Sequence, residues 1–203
     1  MKAVGILSCL GKLLAMVVLL HSSPASAQAA GEASLLHGMF QEHAVLQRDQ
    51  PIRIWGNAQP GAKIQVSLDA HRASSLANET GKWEVRLPSM PAGGPHTLTV
   101  SDGVSTQSVG DVLVGDVWLC SGQSNMELPV WRALDAVSEL GSASSPTIRL
   151  LTVPQSASPV LLESFPSAPQ WQTVDADTLR EFSAACFYFA RELQKSVDVP
   201  MGL

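Results

Sequence analysis

The sequence predicts an α/β protein in which an antiparallel, jelly-roll-like β-sandwich precedes a parallel sheet covered by helices. Three observations lead to this prediction. Short alternating apolar segments, separated by turns, fill residues 28–108. Nearly continuous apolar segments alternate with helical patterns in residues 109–203. Residues 1–27 carry an apolar segment and a cleavage site, which are typical of an export signal.

The export signal is predicted from its flanks and its length. Lys2 and Lys12 precede the uncharged run Leu13–Leu20, and Ala25-Ser26-Ala27 supplies a small-x-small cleavage site. This apolar core is much shorter than the ~20 residues of a membrane-spanning helix. An uncleaved anchor is the alternative. We therefore expect a mature chain that begins near Gln28 in the periplasm or outside the cell, with no membrane association after cleavage.

The charge balance argues against nucleic acid as a partner. The chain has a formal charge of -5, and removing residues 1–27 takes away two lysines and no acids, which gives -7. A phosphate-binding surface needs clustered Lys and Arg, and the mature sequence has no basic run. The oligomeric state is not predictable from these features.

The cysteines leave two possibilities open. Cys9 lies in the export signal, whereas Cys120 and Cys186 could pair in an oxidising compartment or remain buried free thiols. No CxxC motif or histidine cluster accompanies them, so the sequence predicts no metal site and no cofactor.

The sandwich prediction depends on period-two alternation between residues 34 and 108. The predicted strands carry apolar residues at Ile52 and Ile54, at Ile64, Val66 and Leu68, at Trp83, Val85 and Leu87, and in the run Thr97–Val100. Pro-Gly, Asn-Glu-Thr-Gly and Asp-Gly sequences supply turns between strands. Strands at intervals of roughly 8–12 residues are typical of antiparallel sandwiches.

The parallel-sheet prediction depends on longer apolar runs after residue 108. We expect strands over Val112–Cys120 and Ile148–Val153 and at the terminal Val199–Leu203. Helices are expected within 126–140, broken early by Pro129, and over Phe182–Val197. The stretch Pro154–Asp177 is expected to be a long loop. The helix over Phe182–Val197 has apolar residues at i+3 and i+4 spacing, which predicts one face packed on a sheet.

One motif carries candidate chemistry. A buried strand is predicted to lead into Ser121-Gly122-Gln123-Ser124, with a helix after it. Ligands of open α/β sheets bind beyond the carboxyl ends of strands, so Ser124 is expected at that edge. Gly122 permits a tight turn, and the free N–H groups at the helix start could stabilise an oxyanion.

Spacing alone leaves other interpretations open. A serine between a strand and a helix is most often an N-cap. Met126 occupies the second glycine position of a Gly-x-Ser-x-Gly elbow, so the motif is not that of α/β-hydrolases. The residues of a phosphate-binding loop are also missing.

A resemblance to a known family favours the nucleophile interpretation. The stretch Gly115–Pro129, with Ser124, Asn125 and Met126 at its core, resembles the nucleophile block of sialate O-acetylesterases, within the SGNH/GDSL-like serine esterases. The similarity extends over almost all of the mature chain, including Met39–Arg48, Trp55-Gly56, Gly81-Lys82-Trp83, Phe182–Leu193 and Val199–Leu203.

This resemblance implies that residues 109–203 are the N-terminal part of a truncated SGNH-hydrolase-like domain. It also implies removal of O-acetyl groups from sialic acids, with Ser124 as nucleophile, its own N–H as an oxyanion donor, and Gly122, Gln123 and Asn125 as supporting motif residues. Relatives act on acetylated xylan, so an acetylxylan substrate is an alternative. A non-catalytic carbohydrate-binding fragment is a second alternative.

The resemblance fails at the general base. In the family, a histidine and its acidic partner follow much later in the chain. The histidines of the mature chain all precede Ser124 and match no family position: His37, His43, His71 and His96. A serine without its base is a weak nucleophile, so we expect this chain alone to be inactive. Asp135, Asp175 and Asp177 are interpreted as solvated loop or helix acids.

Overall fold

The computed structural model describes residues 34–162, 164–165 and 167–203, and the predicted export signal therefore lies outside the described residues. A mixed eight-stranded sheet and a two-stranded sheet form the framework. The strands are β1 (Val45–Gln47), β2 (Ile52–Asn57), β3 (Lys63–Leu68), β4 (His71–Leu76), β5 (Lys82–Leu87), β6 (Gly93–Ser101), β7 (Thr106–Val117), β8 (Ser145–Leu151), β9 (Trp171–Val174) and β10 (Met201–Gly202). The α-helices are α1 (Ser124–Glu127), α2 (Ala136–Gly141), α3 (Ala176–Arg180) and α4 (Ala184–Gln194), and a 3₁₀ turn covers Val130–Arg132.

The antiparallel region buries one hydrophobic cluster. The predicted alternation is confirmed in β2, β3 and β5, whose apolar residues are buried while their neighbours face solvent. Strand β2 pairs with β5, while β4, β3, β6 and β7 follow one another in the large sheet. Side chains from both sheets, among them Ile54, Ile64 and Val85, share the cluster. The jelly-roll-like sandwich itself stays a prediction.

Strand β7 connects the two predicted regions. Its first part pairs antiparallel with β6, and its last part pairs parallel with β1 and with β10. The domain boundary predicted at residue 108 falls inside this strand and stays a prediction. At Gly115 the backbones approach closely, because a Cβ there would lie 2.0 Å from the carbonyl oxygen of Pro200.

The second hydrophobic cluster lies between the parallel strands and the helices. Strand β10 pairs in parallel with both β7 and β8, and the terminal residues 201–203 are buried, which confirms the predicted final strand. Helix α4 buries Cys186, Phe187 and Ala190 in this cluster. None of the helices in the described part of the chain is both long and apolar enough to cross a bilayer.

Three expectations for this region need correction. The loop predicted over Pro154–Asp177 contains β9, which pairs antiparallel with β8, and the start of α3. The helix expected within 126–140 divides into α1, the 3₁₀ turn and α2, because Pro129 cannot continue a helix. The strand expected to reach Cys120 ends at Val117.

A partly buried ion pair joins β8 to β7, and a histidine from the antiparallel region contacts its carboxylate. The side chain of Arg149, on β8, is 5% exposed, and its Nη2 atom lies 3.0 Å from Oδ2 of Asp111 on β7. The same carboxylate oxygen lies 2.6 Å from Nδ1 of His43. A charged group in the interior needs such a partner, so Asp111 stabilises the arginine.

Candidate functional site

Ser124 lies at the carboxyl end of β7, as the motif predicts. The strand ends at Val117 beside the end of its parallel partner, where the Trp118 amide donates to the Gly202 carbonyl at 2.8 Å. Residues 118–123, called here the serine loop, then lead to α1, whose first residue is Ser124. The Ser124 side chain is exposed. The hydroxyl is therefore available at the sheet edge.

The N-cap interpretation of Ser124 is wrong. Gln123 is the N-cap of α1, and its side chain makes no capping hydrogen bond. The amides of Met126 and Glu127 donate to the Gln123 carbonyl, at 2.8 and 3.1 Å. In the described part of the chain the amides of Ser124 and Asn125 have no acceptor, and the Ser124 hydroxyl has no hydrogen-bond partner. Two free donors thus lie next to a free hydroxyl.

The serine loop is held to the start of α4. Cys120 and Cys186 form a disulfide, which decides between the two possibilities that the sequence left open. Ser183, the N-cap of α4, accepts from the Cys186 amide and donates to the sulfur of Met126 at 3.4 Å. A side chain at Gly122 would place its Cβ 3.0 Å from the Cβ of Met126, so glycine suits this close approach. These contacts fix both sides of Ser124.

A cavity of about 890 Å³ opens beside the serine loop. We call it the serine cleft. Its walls are mainly apolar, and the larger apolar side chains are Met39, Val117, Trp118, Leu119, Met126, Leu151, Val153, Phe165, Trp171, Phe182 and Leu203. Ser121, Glu127 and Glu181 are among its polar residues. Ser124 is not itself a wall residue, but Gly122 and Met126 on either side of it are.

The exposed part of the serine loop explains the misplaced strand end. Leu119 is 90% exposed and Trp118 is 39% exposed, so the apolar run that suggested a buried strand forms the cleft wall instead. An apolar side chain at a ligand site and one in a core look the same in sequence. The end of β7 is set by where its pairing with β10 stops, which the sequence does not show.

No histidine among the described residues lines the serine cleft. Nδ1 of His37 accepts from the Met39 amide at 3.3 Å, and His43 contacts Asp111. His96 lies 2.5 Å from Asp69, and this hydrogen bond holds the pKa of the Asp69 carboxyl below its usual value. His71 begins β4. The site therefore has a nucleophile candidate without a general base in the described part.

The acidic residues also follow the sequence interpretation. Asp175 caps α3 by accepting from the amides of Asp177 and Thr178. The hydrogen bond from the Thr178 amide lowers the pKa of this carboxyl. Asp135 precedes α2 without a side-chain cap. The described residues contain no group of three or more His, Cys, Asp or Glu side chains able to hold a metal ion.

Several cleft residues were not singled out from the sequence. Phe165 and Trp171 lie in a stretch rich in Pro, Ser and Ala that was predicted to be a loop. Glu127 lies on α1 and contacts the amide of Gln155, and Glu181 accepts from the indole of Trp131 at 3.1 Å. The alternation in Trp171–Val174 was a signal for β9, but it covers only four residues.

Comparison with known proteins gives a consistent picture, although no family model matches the chain. It is 34% identical over 167 residues to a sialate O-acetylesterase of Pongo abelii and 33% identical to that of Homo sapiens, covering 74% of this chain and 32% of each relative. The mouse sialate O-acetylesterase is 31% identical over 194 residues, covering 87% of this chain and 36% of its own length. The chain thus spans about a third of the length of the curated relatives it matches.

A solved structure has the same fold. It is the crystal structure of a carbohydrate acetylesterase from Xanthomonas citri, with a TM-score of 0.80 and 41% sequence identity. The match covers 82% of this chain and 38% of that one. The shared architecture is α/β, with a mixed multi-stranded sheet and few helices.

Proposed function

This chain belongs to the sialate O-acetylesterase family, and we propose that it supplies the nucleophile of a serine carbohydrate esterase. The observation that carries the proposal is the position of Ser124, exposed at the carboxyl end of β7 beside an apolar cleft. The proposal requires this hydroxyl to reach a carbonyl carbon held in the cleft, whose walls include Gly122 and Met126 on either side of Ser124. The names of the relatives support acetyl esters of sugars as the substrate class.

The reaction follows from the groups around Ser124. Its Oγ attacks the acetyl carbonyl carbon while a general base takes the hydroxyl proton. The bond from this carbon to the sugar oxygen then breaks, and the base returns the proton to that oxygen, which leaves as the sugar hydroxyl. The carbonyl oxygen becomes negative during this attack. In this proposal the unpaired amide of Ser124 donates to it, with the unpaired Asn125 amide as a second donor. Losing one such donor typically raises the barrier by about 2.7–4 kcal/mol. Water then releases acetate from the acyl-enzyme.

The general base is the part of the machinery that the described residues do not bring to the cleft. No described histidine lies in the cleft walls, and the His43–Asp111 and His96–Asp69 pairs are committed to other contacts. A serine hydroxyl without a base reacts slowly at neutral pH. We therefore expect the chain alone to hydrolyse 4-nitrophenyl acetate no faster than its Ser124→Ala variant.

The proposal also concerns which sugar carries the acetyl group. The relatives are named sialate O-acetylesterases, which supports O-acetylated sialic acid. The broader name of the Xanthomonas citri protein supports other acetylated carbohydrates, and acetylated xylan remains the alternative substrate. Export from the cytoplasm is also proposed. The Cys120–Cys186 disulfide supports it, since such bonds persist in oxidising compartments.

The experiment removes the hydroxyl and keeps a matched control. In a gene product that includes this chain and hydrolyses acetylated sugars, Ser124→Ala should lower turnover by about 10⁶-fold, as in a serine triad. Ser121→Ala, in the same motif and in the cleft wall, should change turnover far less. Turnover that survives in Ser124→Ala would refute the nucleophile assignment. A Ser124-dependent rate of hydrolysis by the chain alone would refute the proposal that it lacks a general base.

A further inference from the structure

The serine cleft continues into two further cavities along the molecule. A cavity of about 360 Å³ shares Val153 and Phe165 with the serine cleft. A third cavity, of about 610 Å³, shares His37, Trp55 and Ser164 with the second. Cavities that share wall residues lie next to each other, separated by no more than those side chains. We call the third cavity the distal cavity, because it lies over strands β2 and β5, away from the serine loop.

We propose that these three cavities form one glycan-binding groove, so that the esterase acts on acetyl groups of an oligosaccharide or polysaccharide whose unreacted sugars occupy the distal cavity. This inference rests on the proposed function for its reaction. It adds a binding site that Ser124 does not require. A single acetylated sugar would contact only the serine cleft.

Aromatic side chains occur along the whole groove. Trp118 and Trp171 line the serine cleft, Phe165 lies at its junction with the second cavity, and Trp55 lies at the junction with the distal cavity. His37 packs between Trp55 and Phe165, with ring centroids 5.4 and 5.6 Å away. The C–H faces of sugar rings pack on aromatic rings. Such a series is therefore suited to several consecutive sugars.

Fixed polar groups surround the aromatic ring in the distal cavity. Arg53 lies 5.8 Å from the Trp55 ring centroid, and two of its nitrogens donate to Glu84 at 3.1 and 2.6 Å. The hydrogen bond from Arg53 lowers the pKa of the Glu84 carboxyl, which keeps it an ionised acceptor. Arg53 and Glu84 neutralise each other while offering a donor and an acceptor side by side. This pairing suits uncharged hydroxyls better than an anionic ligand.

Two residues of the distal cavity wall each carry a buried polar atom behind the cavity surface. Within the described residues, Ser75 Oγ and Trp83 Nε1 have no hydrogen-bond partner, and both residues line this cavity. Buried polar atoms without partners are rare in folded proteins and call for an explanation such as an enclosed water. The exposed side chain of Asn57 adds an amide to the same wall.

A matched pair of arginines provides the test. Arg53 and Arg86 are directly opposite each other on β2 and β5, and both bond to Glu84, but only Arg53 lines the distal cavity. The probes are partly acetylated xylohexaose and a single O-acetylated sialic acid. Binding to the chain is measured by calorimetry, and the contacted amides are mapped by NMR titration.

We expect the hexasaccharide to perturb amides of β2 and β5 as well as the serine loop, and the single sugar to perturb the serine loop alone. Arg53→Ala should weaken hexasaccharide binding about tenfold or more, as loss of a charged hydrogen bond does. Arg86→Ala should leave it unchanged, and His37→Ala should act like Arg53→Ala. Equal affinity of the two probes, equal effects of the two arginine variants, or no hexasaccharide binding would each overturn the groove.

The outcome is separable from that of the proposed function. Ser124→Ala removes the reacting hydroxyl but no part of the distal cavity, so it should leave hexasaccharide affinity unchanged. If esterase activity survives in Ser124→Ala while the β2 and β5 amides still respond, the reaction assignment fails and the groove stands. If activity depends on Ser124 but both probes contact only the serine loop, the groove fails alone.

Discussion

The Cys120–Cys186 disulfide makes a quantitative prediction about stability. It joins residues separated by 66 positions in the sequence. In the chain-entropy description, closing a loop of that length in the unfolded state removes about 15 cal/mol/K, or roughly 4 kcal/mol at 25 °C. That amount is a large part of the 5–15 kcal/mol that typically separates folded and unfolded domains. Opening the bond should therefore be readily measured.

The perturbation is made in two ways. A phosphine reductant opens the bond without changing the side chains, whereas Cys120→Ala with Cys186→Ala also removes a buried sulfur at position 186. Urea unfolding followed by tryptophan fluorescence reports both. With a typical slope of about 2 kcal/mol per molar urea, the midpoint should fall by about 2 M. Hydrogen exchange should show the first large loss of protection in the serine loop and the start of α4.

The control is the reductant itself, which should leave the double alanine variant unchanged. A midpoint shift below about 0.5 M on reduction would contradict the argument, because it would mean that the loop closure contributes little. Uniform loss of hydrogen-exchange protection over the whole chain would contradict the expectation that the disulfide fixes the serine loop to α4 in particular.

Two further substitutions test the packing that positions the site. Gly115→Ala should destabilise the fold by about 1–3 kcal/mol, because its Cβ would clash with the backbone of Pro200, just before β10. Gly110→Ala on the same strand has open space and should change stability by less than about 0.5 kcal/mol. Equal urea midpoints for the two variants would rule out that clash. Asp111→Asn should lower the free energy of unfolding by about 1–3 kcal/mol, because it leaves the buried Arg149 without its anion. Asp49→Asn is the control, since Asp49 also has a positive φ but its ion pair with Arg48 is exposed, so this change should cost little. Thermal melts of both asparagine variants check this, and matching melting temperatures would contradict it.

The sequence predicted strands well where burial on one face creates alternation. Ile52 and Ile54 on β2 and Trp83 and Val85 on β5 follow this pattern, and their strands are found where expected. Strand β4 was missed, since its sequence His71–Leu76 has little apolar alternation and its backbone pairing with β3 alone defines it. Pairing between distant segments leaves no local trace in such a sequence.

The candidate site was predictable in part for the same reason. Ser124 and Gly122 belong to one continuous motif, and their position between a strand and a helix followed from local patterns. The far wall of the cleft did not, because Phe165 and Trp171 reach it from a separate stretch through tertiary contacts. The pairing of Cys120 with Cys186 likewise depends on where α4 packs.

Strand β7 has a consequence for how disturbances spread through the molecule. Val112 and Val114 point into the antiparallel core, Leu113 between them packs with Trp171 on the opposite side, and the strand then ends at the turn that presents the serine. The same strand therefore contributes side chains to hydrophobic clusters on both of its faces. Substitutions on either side of β7 are therefore expected to shift the strand end from which the serine loop begins.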